Sequence, residues 1–411
     1  MKNQYTRLKY ACYTINISMA AVTVLSSVLF MTFRARYGIS YSMLGLLVLI
    51  NFLTQLSVDL LLSFFSHRIN IPRTVKLTPV LTAVGILIYA LWPFLFPNAV
   101  YAGLVIGTVI FSAAAGLNEV LTSPVFAAIP ADDPDREMSK LHSTYAWGVV
   151  GVIVFSTLFL YFAGNANWQW MALLFVLIPI ASCILFSGTE IPKMETPERL
   201  TGAIHLLQNR GLWLSVLAIF LGGAAEAVMT HWSSGYLEAA LGIPKVWGDI
   251  LGVALFAAML GLGRTLYAKR GKHMERVLIL GAIGAVVCYL TAALSPLPWL
   301  GLVACALTGL CVSMLWPGNL VVASDRFPTG GVFIYAMMAS GGDFGAAVAP
   351  QLVGLVTDAA IASPRLEELA GKLSLSPDQL GMKLGMLVAM LFPLVAIPVY
   401  IRLWKNKRKS K

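Results

Sequence analysis

Four carboxylic acids lie inside long apolar stretches of the sequence, and these residues have the clearest chemical potential: Asp59, Glu119, Glu226 and Asp343. A charged side chain in the middle of a bilayer costs about 3 kcal/mol or more, so acids retained there usually face a cavity or a partner. A carboxyl group can exchange a proton, and it can accept hydrogen bonds from the hydroxyls of a polyol. We therefore predict that Glu119 and Glu226 bind substrate or couple protons, with hydrogen bonding to a neighbouring helix as the alternative.

The surroundings of these two acids are polar. Asn118 precedes Glu119, and Pro124 follows five residues later. Glu226 is followed by His231 and Trp232, and a pair of glycines precedes it by one turn. Small residues of this kind also allow helices to pack closely. The pattern predicts an interrupted seventh helix with Glu226, His231 and Trp232 at a central cavity, and a continuous packing helix is the alternative.

Aromatic and amide side chains form a second group of candidates. Aromatic faces can stack on the apolar face of a sugar while polar groups bind its hydroxyls. In membrane proteins, however, tryptophans commonly pack against other helices or anchor at the interface, and amides commonly bridge helices. Both functions remain open for the aromatic residues Tyr145, Trp147, Trp232 and Trp316 and for the amides Asn16, Gln55 and Asn319, and Asn118 is a candidate together with Glu119.

The remaining charges inside or beside apolar segments suggest gating. Asp59 and Arg264 lie toward the ends of their segments, and Asp325 follows a segment on the same predicted side. We expect these residues to form ion pairs that hold a gate in preference to contacting substrate. Asp343 is flanked by glycines, and for this residue packing and function are equally supported.

Composition identifies the class of protein. The 411 residues are 58% hydrophobic and 12% charged, with a mean hydropathy of +0.79. Soluble domains are about 45–50% apolar and about 25% charged, so this composition is typical of a polytopic membrane protein. The net charge of +10 does not indicate nucleic-acid binding, because the Lys and Arg residues lie in short loops between apolar segments.

Twelve apolar segments are long enough to cross a hydrocarbon core of about 30 Å as helices. With the amino terminus on the inside, the loops on that side contain 22 Lys and Arg residues and the outer loops contain 6. This asymmetry predicts that both termini are cytoplasmic, in a chain that resides in the cell membrane. The predicted spans are 10–33, 42–65, 77–96, 99–127, 141–163, 168–187, 211–236, 250–268, 277–295, 298–323, 330–357 and 384–401.

A long polar stretch divides the spans into two sets of six. We predict an amino-terminal six-helix bundle over 1–187, a cytoplasmic linker over 188–210, and a carboxy-terminal six-helix bundle with a basic tail over 211–411. Short glycine and proline patterns recur at corresponding positions of the halves, as expected for parallel structural repeats. The predicted fold class is an all-α polytopic membrane protein with twelve transmembrane helices in two pseudo-symmetric bundles.

Several other functions are disfavoured by what the sequence lacks. It contains no phosphate-binding loop of the G-x-x-x-x-G-K-[ST] type, and no cluster of residues typical of a metal or nucleophile site. All five cysteines fall in apolar segments, without the spacing of a disulfide framework. We expect a chain that needs no cofactor, is not an enzyme, does not bind nucleic acid, and is embedded in the lipid bilayer as a monomer.

The twelve spans, the two halves and the central linker resemble the major facilitator superfamily of transporters over essentially the whole chain. Its signature in the loop after the second span is only partly matched by 63–73, where both glycines and the acid are replaced. A narrower resemblance is to fucose permease-like sugar:proton symporters. It rests on the spacing of Glu119 and Pro124, on the run 311–317, and on 341–358. That family also uses an acid in its first span, and 10–33 contains none.

The resemblance implies alternating access around a central cavity. Our interpretation is a secondary transporter of a small polar solute, a sugar or related polyol, taken up together with protons. The alternatives are a drug or metabolite exporter of the same superfamily, a transporter-like sensor without flux, and an integral-membrane enzyme. Drug exporters of this superfamily often carry a Gly-Pro signature in the fifth span, and the exporter is disfavoured because 148–154 contains no proline. The enzyme is disfavoured because the sequence has no clustered nucleophiles.

Overall fold

The computed structural model describes residues 5–65, 69–132, 134–192, 206–270, 273–327 and 331–409. Within these ranges the chain is almost entirely helical. Short helical turns at Pro97–Ala99 and Asn165–Asn167 and a π-helical turn at Gly248–Ala254 connect or extend the longer helices. The α-helices are α1 Thr6–Val28, α2 Phe30–Tyr37, α3 Tyr41–Phe65, α4 Ile71–Leu95, α5 Val100–Ala127, α6 Pro134–Ala163, α7 Trp168–Phe175, α8 Leu177–Phe186, α9 Arg210–Ala239, α10 Lys245–Trp247, α11 Leu255–Arg270, α12 Met274–Leu294, α13 Pro298–Val312, α14 Pro317–Arg326, α15 Gly331–Ile361, α16 Pro364–Lys372 and α17 Pro377–Lys409.

The described residues contain 12 helical segments long and apolar enough to cross a membrane, which confirms the predicted number. Three of these segments combine neighbouring helices, namely α7 with α8, α10 with α11, and α13 with α14. The eighth segment begins at Lys245, whereas we predicted a start at 250. This correction places a lysine and an aspartate inside the span.

The chain contacts divide the protein into two units. The first comprises Met1–Tyr37 and Ile50–Arg199, and the second comprises Gly38–Leu49 and Leu200–Lys411. The beginning of α3 therefore packs with the carboxy-terminal helices. The division into bundles 1–187 and 211–411 with a linker at 188–210 stays a prediction, and positions 193–205 of that linker lie outside the described residues.

The first unit depends on close helix approach. A Cβ added at Gly85 of α4 would lie 2.6 Å from the backbone nitrogen of Phe111 in α5. Glycine is therefore required where these two helices touch. Nearer the chain start, a buried apolar cluster that includes Leu8, Cys12 and Phe186 joins α1, α5 and α8.

The second unit corrects the prediction of an interrupted seventh helix. The helix α9 runs without a break from Arg210 to Ala239. Its glycines serve packing, because a Cβ at Gly222 would lie 2.9 Å from the carbonyl oxygen of Leu315, and one at Gly223 would lie 2.6 Å from that of Gly342. Close helix contact, and not a break in hydrogen bonding, explains the two glycines.

The last helix begins at a run of residues typical of helix starts, Ser376-Pro377-Asp378-Gln379. The Ser376 backbone amide donates to Gln379 Oε1 over 2.9 Å, and the Gln379 amide donates to Ser376 Oγ over 3.1 Å. This reciprocal pair is a capping box, with Pro377 at the first helical position.

A three-residue charge cluster joins the first turns of α1 and α6. Glu137 accepts hydrogen bonds from Lys140 and from Lys9, the latter over 2.8 Å. The cluster precedes the part of α6 that spans the membrane, which begins at Ser143. The hydrogen bonds from Lys140 and Lys9 lower the pKa of Glu137 to about 2. Since a lowered pKa favours the folded state above the pKa of the unfolded chain, protonating Glu137 costs stability.

We expect the melting temperature of the purified protein to fall as pH decreases from about 4.5 toward 2, and protonation of Glu137 should cause part of this fall. Glu137→Gln removes this contribution, so its melting temperature should change less over pH 5 to 3 than that of the wild type. Glu368→Gln is the control, because Glu368 pairs with Lys372 on an exposed helix and such pairs contribute about 0–1 kcal/mol. Equal pH profiles for wild type and Glu137→Gln would contradict the assignment.

Candidate functional site

Two acids of the first unit interact with each other. Asp59 is on α3 and Glu119 is on α5, and their carboxyl groups are close enough for electrostatic interaction. The Glu119 side chain is exposed, while Asp59 Oδ1 is buried and has no hydrogen-bond partner among the described residues. A buried acceptor without a partner is costly. The pair therefore has an unused acceptor atom beside an accessible acid.

Amides beside Glu119 connect three helices. Asn118 Nδ2 donates to Asn16 Oδ1 over 3.0 Å, and Asn16 Nδ2 donates to the Leu141 carbonyl over 3.1 Å. Thr122 Oγ1 donates to the side chain of Asn118. The network ties α1, α5 and α6 together and satisfies buried polar groups, so Asn16 and Asn118 fix the backbone that carries Glu119.

A second amide network involves Gln55. Its Nε2 donates to Asn51 Oδ1, which also accepts a hydrogen bond of 2.9 Å from Ser112 Oγ. All three side chains are buried. The network links α3 to α5 one to two turns from Asp59, and it orients the helix that presents this acid.

In the second unit, Glu226 of α9 faces Arg264 of α11. The distance from Arg264 Nη2 to Glu226 Oε1 is 3.6 Å, and the side chains are 44% and 24% exposed, respectively. Arg264 Nε also donates to the Ser313 carbonyl over 3.1 Å. Glu226 Oε2 is buried, and within the part of the chain that the structure describes it has no hydrogen-bond partner. Like Asp59, Glu226 therefore retains an unused acceptor inside a membrane span.

The two candidate residues that lie more than one turn beyond Glu226 on α9 are buried. His231 and Trp232 are 2% and 0% exposed. Trp232 Nε1 donates to the carbonyl of Pro350 over 2.9 Å, and its ring lies 6.0 Å from that of Tyr41. In this conformation neither side chain offers a surface to a solute, and their assignment to the substrate site stays a prediction.

The other aromatic candidates lie in different settings. Trp316 is half-buried, and its ring lies on Gly223 and Gly342, where added Cβ atoms would come within 3.0 and 2.4 Å of ring carbons. Tyr145 is half-buried on α6, and Trp147 on the same helix is 75% exposed. Only Trp316 packs beside the helix that carries Glu226.

The remaining predicted charges are more peripheral. Asp325 is exposed near the end of α14, and Asp343 is half-buried on α15. The structure places Arg264 in a pair with Glu226, so this arginine belongs with the predicted coupling acid. The gating function of Asp59, Arg264, Asp325 and Asp343 stays a prediction.

Sequence reasoning missed a charged cluster at the start of the eighth span. Asp249 is fully buried, lies 3.1 Å from Lys245 Nζ, and accepts a hydrogen bond from Ser234. Glu238 is nearby, with a buried Oε2 that has no hydrogen-bond partner. The lysine and aspartate four residues apart lower the local hydropathy, and that spacing was the available signal for a helical ion pair.

Sequence reasoning also missed Asp358. Its two carboxylate oxygens accept hydrogen bonds from the first backbone amides of α3, from Tyr41 over 3.0 Å and from Ser42 over 2.7 Å. A carboxylate is favourable at a helix amino terminus, where amides lack partners and the helix dipole is positive. No local pattern in the sequence indicates a contact between residues so far apart.

The model of the Major Facilitator Superfamily matches residues 11–350, well over half of the chain. The chain belongs to this superfamily. It is therefore a multi-pass integral membrane protein of a transporter family and not an enzyme, as predicted. A comparison of the sequence with curated proteins gave no match.

Solved structures share the fold of this superfamily member at low sequence identity. A nucleoside transporter, NupG in a D323A mutant form, matches with a TM-score of 0.76 and 9% identity, covering 96% of this chain and 99% of that chain. A D-xylose-proton symporter matches with a TM-score of 0.74 and 14% identity, over 97% and 99%. The fucose:proton symporter FucP of E. coli matches with a TM-score of 0.55 and 15% identity, over 96% and 99%. At these identities the similarity establishes the fold.

Proposed function

We propose that this transporter carries a small polar solute, a sugar or related polyol, together with protons by alternating access. One observation supports the proposal most strongly: each unit has a carboxyl group inside a span with a buried, unpartnered oxygen. These groups are Asp59 beside Glu119 in the first unit and Glu226 beside Arg264 in the second. Carboxylates of this kind can bind protons and can accept hydrogen bonds from hydroxyl groups.

In the first unit, we assign proton binding to Glu119 with Asp59. Two neighbouring carboxylates repel each other, and protonation of one of them relieves the repulsion. Glu119 is the accessible member of the pair, so it is the group that meets the proton and the solute. The amide networks of Asn118 and Gln55 hold the two helices in place.

In the second unit, we assign a switching function to Glu226. When ionised, it pairs with Arg264 at 3.6 Å. When protonated, it releases Nη2 of Arg264, which can then bind a solute oxygen while Nε keeps its hydrogen bond to the carbonyl of Ser313. Because the two groups are 3.6 Å apart and both side chains are partly exposed, breaking this ion pair should cost little free energy.

The fold relatives support a polar solute without defining it. Two are proton symporters for D-xylose and fucose, and one is a nucleoside transporter. We also propose that the protein is a monomer in the cell membrane, and the Lys and Arg distribution supports the placement of both termini in the cytoplasm.

The test is uptake by proteoliposomes with an imposed inward proton gradient, using radiolabelled D-xylose, L-fucose, a polyol, a nucleoside and a cationic drug. The proposal predicts accumulation of a sugar or polyol that collapses when a protonophore dissipates the gradient. Nucleoside accumulation would change the solute class and keep the coupling. Drug extrusion, or no flux of any compound, would overturn the proposal in favour of an exporter or a sensor.

A further inference from the structure

An apolar groove lies within the first unit. One wall is α6, the other is formed by α7 and α8, and Ile17 of α1 lies at the floor. The volume is about 870 Å³, within the range of about 300–1,000 Å³ that is typical of small-molecule sites. None of the acids assigned to transport lines this groove. It is lined by Ile17, Lys140, Ser143, Thr144, Trp147, Gly148, Gly151, Val152, Phe155, Leu174, Phe175, Leu177 and Ile178.

The residues of α6 that line the groove recur at intervals of three and four, so they share one face of the helix. Two of them are glycines. A Cβ at Gly148 would lie 3.0 Å from Ala20, so this glycine lets α6 approach α1. A Cβ at Gly151 would meet no atom within 4 Å, so this position is open space. A larger side chain at position 151 would therefore project into the groove.

Polarity changes along the groove. Among the described lining residues, the one cation, Lys140, and the two hydroxyls, Ser143 and Thr144, lie where the membrane-spanning part of α6 begins, and the lining beyond them is apolar. Trp147 marks the transition and is 75% exposed. Tryptophan is enriched where the headgroup region of a membrane meets the hydrocarbon. The groove thus has the polarity gradient of one lipid leaflet.

The dimensions agree with that interpretation. Lys140 and Phe155 are fifteen residues apart, which corresponds to about 22 Å along a helix. Half of a bilayer including its headgroups is about 20–22 Å. The groove walls belong to two membrane spans, Ser143–Ala163 and Asn165–Phe186. Its length equals the distance from a headgroup to the middle of the membrane.

Charge selects the kind of headgroup. Lys140 and Lys9 share one partner, Glu137, so this cluster of described residues at the mouth of the groove contributes two positive charges and one negative charge. The Lys140 side chain is 51% exposed and can reach a second anion. The mouth lies on the side that the Lys and Arg distribution predicts to be cytoplasmic. We propose that this groove binds one phospholipid with an anionic headgroup, with its headgroup at Lys140 and an acyl chain over Gly151.

The test is native mass spectrometry of the full-length protein after delipidation and addition of phosphatidylglycerol or phosphatidylcholine of matched acyl chains. We expect one retained phosphatidylglycerol, with a preference over phosphatidylcholine of about fivefold, equivalent to about 1 kcal/mol per basic residue near the lipid surface. Gly151→Leu fills the groove and should reduce retention by about tenfold. Lys140→Gln should remove the headgroup preference while leaving chain binding.

Gly261→Leu is the matched control. Gly261 is exposed on another span, and a Cβ there also meets no atom within 4 Å. The Gly261→Leu variant should therefore retain as much phosphatidylglycerol as the wild type. Equal losses in Gly151→Leu and Gly261→Leu, or no loss in either, would overturn the proposal. A dimer that Gly151→Leu dissociates would also overturn it, by showing that a second copy occupies the groove. Should Gly151→Leu fail to fold, a headgroup preference unchanged in Lys140→Gln would contradict the proposed site.

Discussion

Glu226→Gln is expected to lower proton-driven uptake by about 100-fold, a loss of about 2.7 kcal/mol of transition-state stabilisation. The variant keeps the shape of the side chain but cannot bind and release a proton or pair with Arg264 as an anion. Because the pair is 3.6 Å apart and partly exposed, its loss should change the free energy of unfolding by only about 1 kcal/mol or less. A large effect on transport with a small effect on stability is the signature of a functional group.

The measurement is initial uptake by proteoliposomes alongside the melting temperature of the same preparation. A double variant, Glu226→Gln with Arg264→Gln, removes the unpaired cation and should recover any lost stability without recovering transport. Glu367→Gln, in the short helix α16, is the control and should transport like the wild type. Uptake by Glu226→Gln above half of the wild-type rate would exclude Glu226 from coupling.

Gly345→Ala is expected to cause the largest loss of stability among the variants considered. A Cβ at Gly345 of α15 would lie 2.1 Å from the carbonyl oxygen of Phe220 and 3.1 Å from the backbone nitrogen of Ala224 in α9. Backbone atoms cannot rotate away, so the two helices must separate. Overpacking of this kind costs about 1–3 kcal/mol and occasionally more.

The measurement is thermal unfolding in detergent, followed by size-exclusion chromatography of the heated samples. We expect a clearly lower melting temperature and a lower yield of monodisperse protein for Gly345→Ala. Gly261→Ala makes the same chemical change on an open helix face, where Ala is favoured over Gly by about 1 kcal/mol, and it should melt at or above the wild-type temperature. Similar melting of both variants would show that α9 and α15 do not pack as described.

The sequence was sufficient for the membrane fold because the spans are long, apolar and separated by short polar loops. Hydrocarbon requires each span to satisfy its own backbone hydrogen bonds, so hydropathy alone indicates the helices. The start of the eighth span was wrong because Lys245 and Asp249 form a pair inside it. A hydropathy scale treats these residues as two separate charges, whereas in the folded protein they form one ion pair.

The candidate site was only partly predictable. The acids were identified because a carboxyl in an apolar segment is unusual in any context. Their partners depend on which helices become neighbours, and neither the pairing of Glu226 with Arg264 nor the electrostatic interaction of Asp59 with Glu119 follows from local spacing. The glycines of α9 were misread as a break, since a glycine that permits close packing and one that ends a helix look alike in sequence. The long-range contact of Asp358 with the start of α3 has no local signal.

The most direct test of the central claim is sugar-triggered proton entry into proteoliposomes loaded with a pH-sensitive dye, comparing wild type with Glu119→Gln. Proton-coupled sugar symport predicts acidification of the lumen when the transported sugar is added to the wild type, and no acidification with Glu119→Gln at equal incorporation. Counterflow of labelled sugar without any proton signal in the wild type would contradict the account and identify a facilitator. Proton release from the lumen on addition of a cationic drug would contradict it in favour of an exporter.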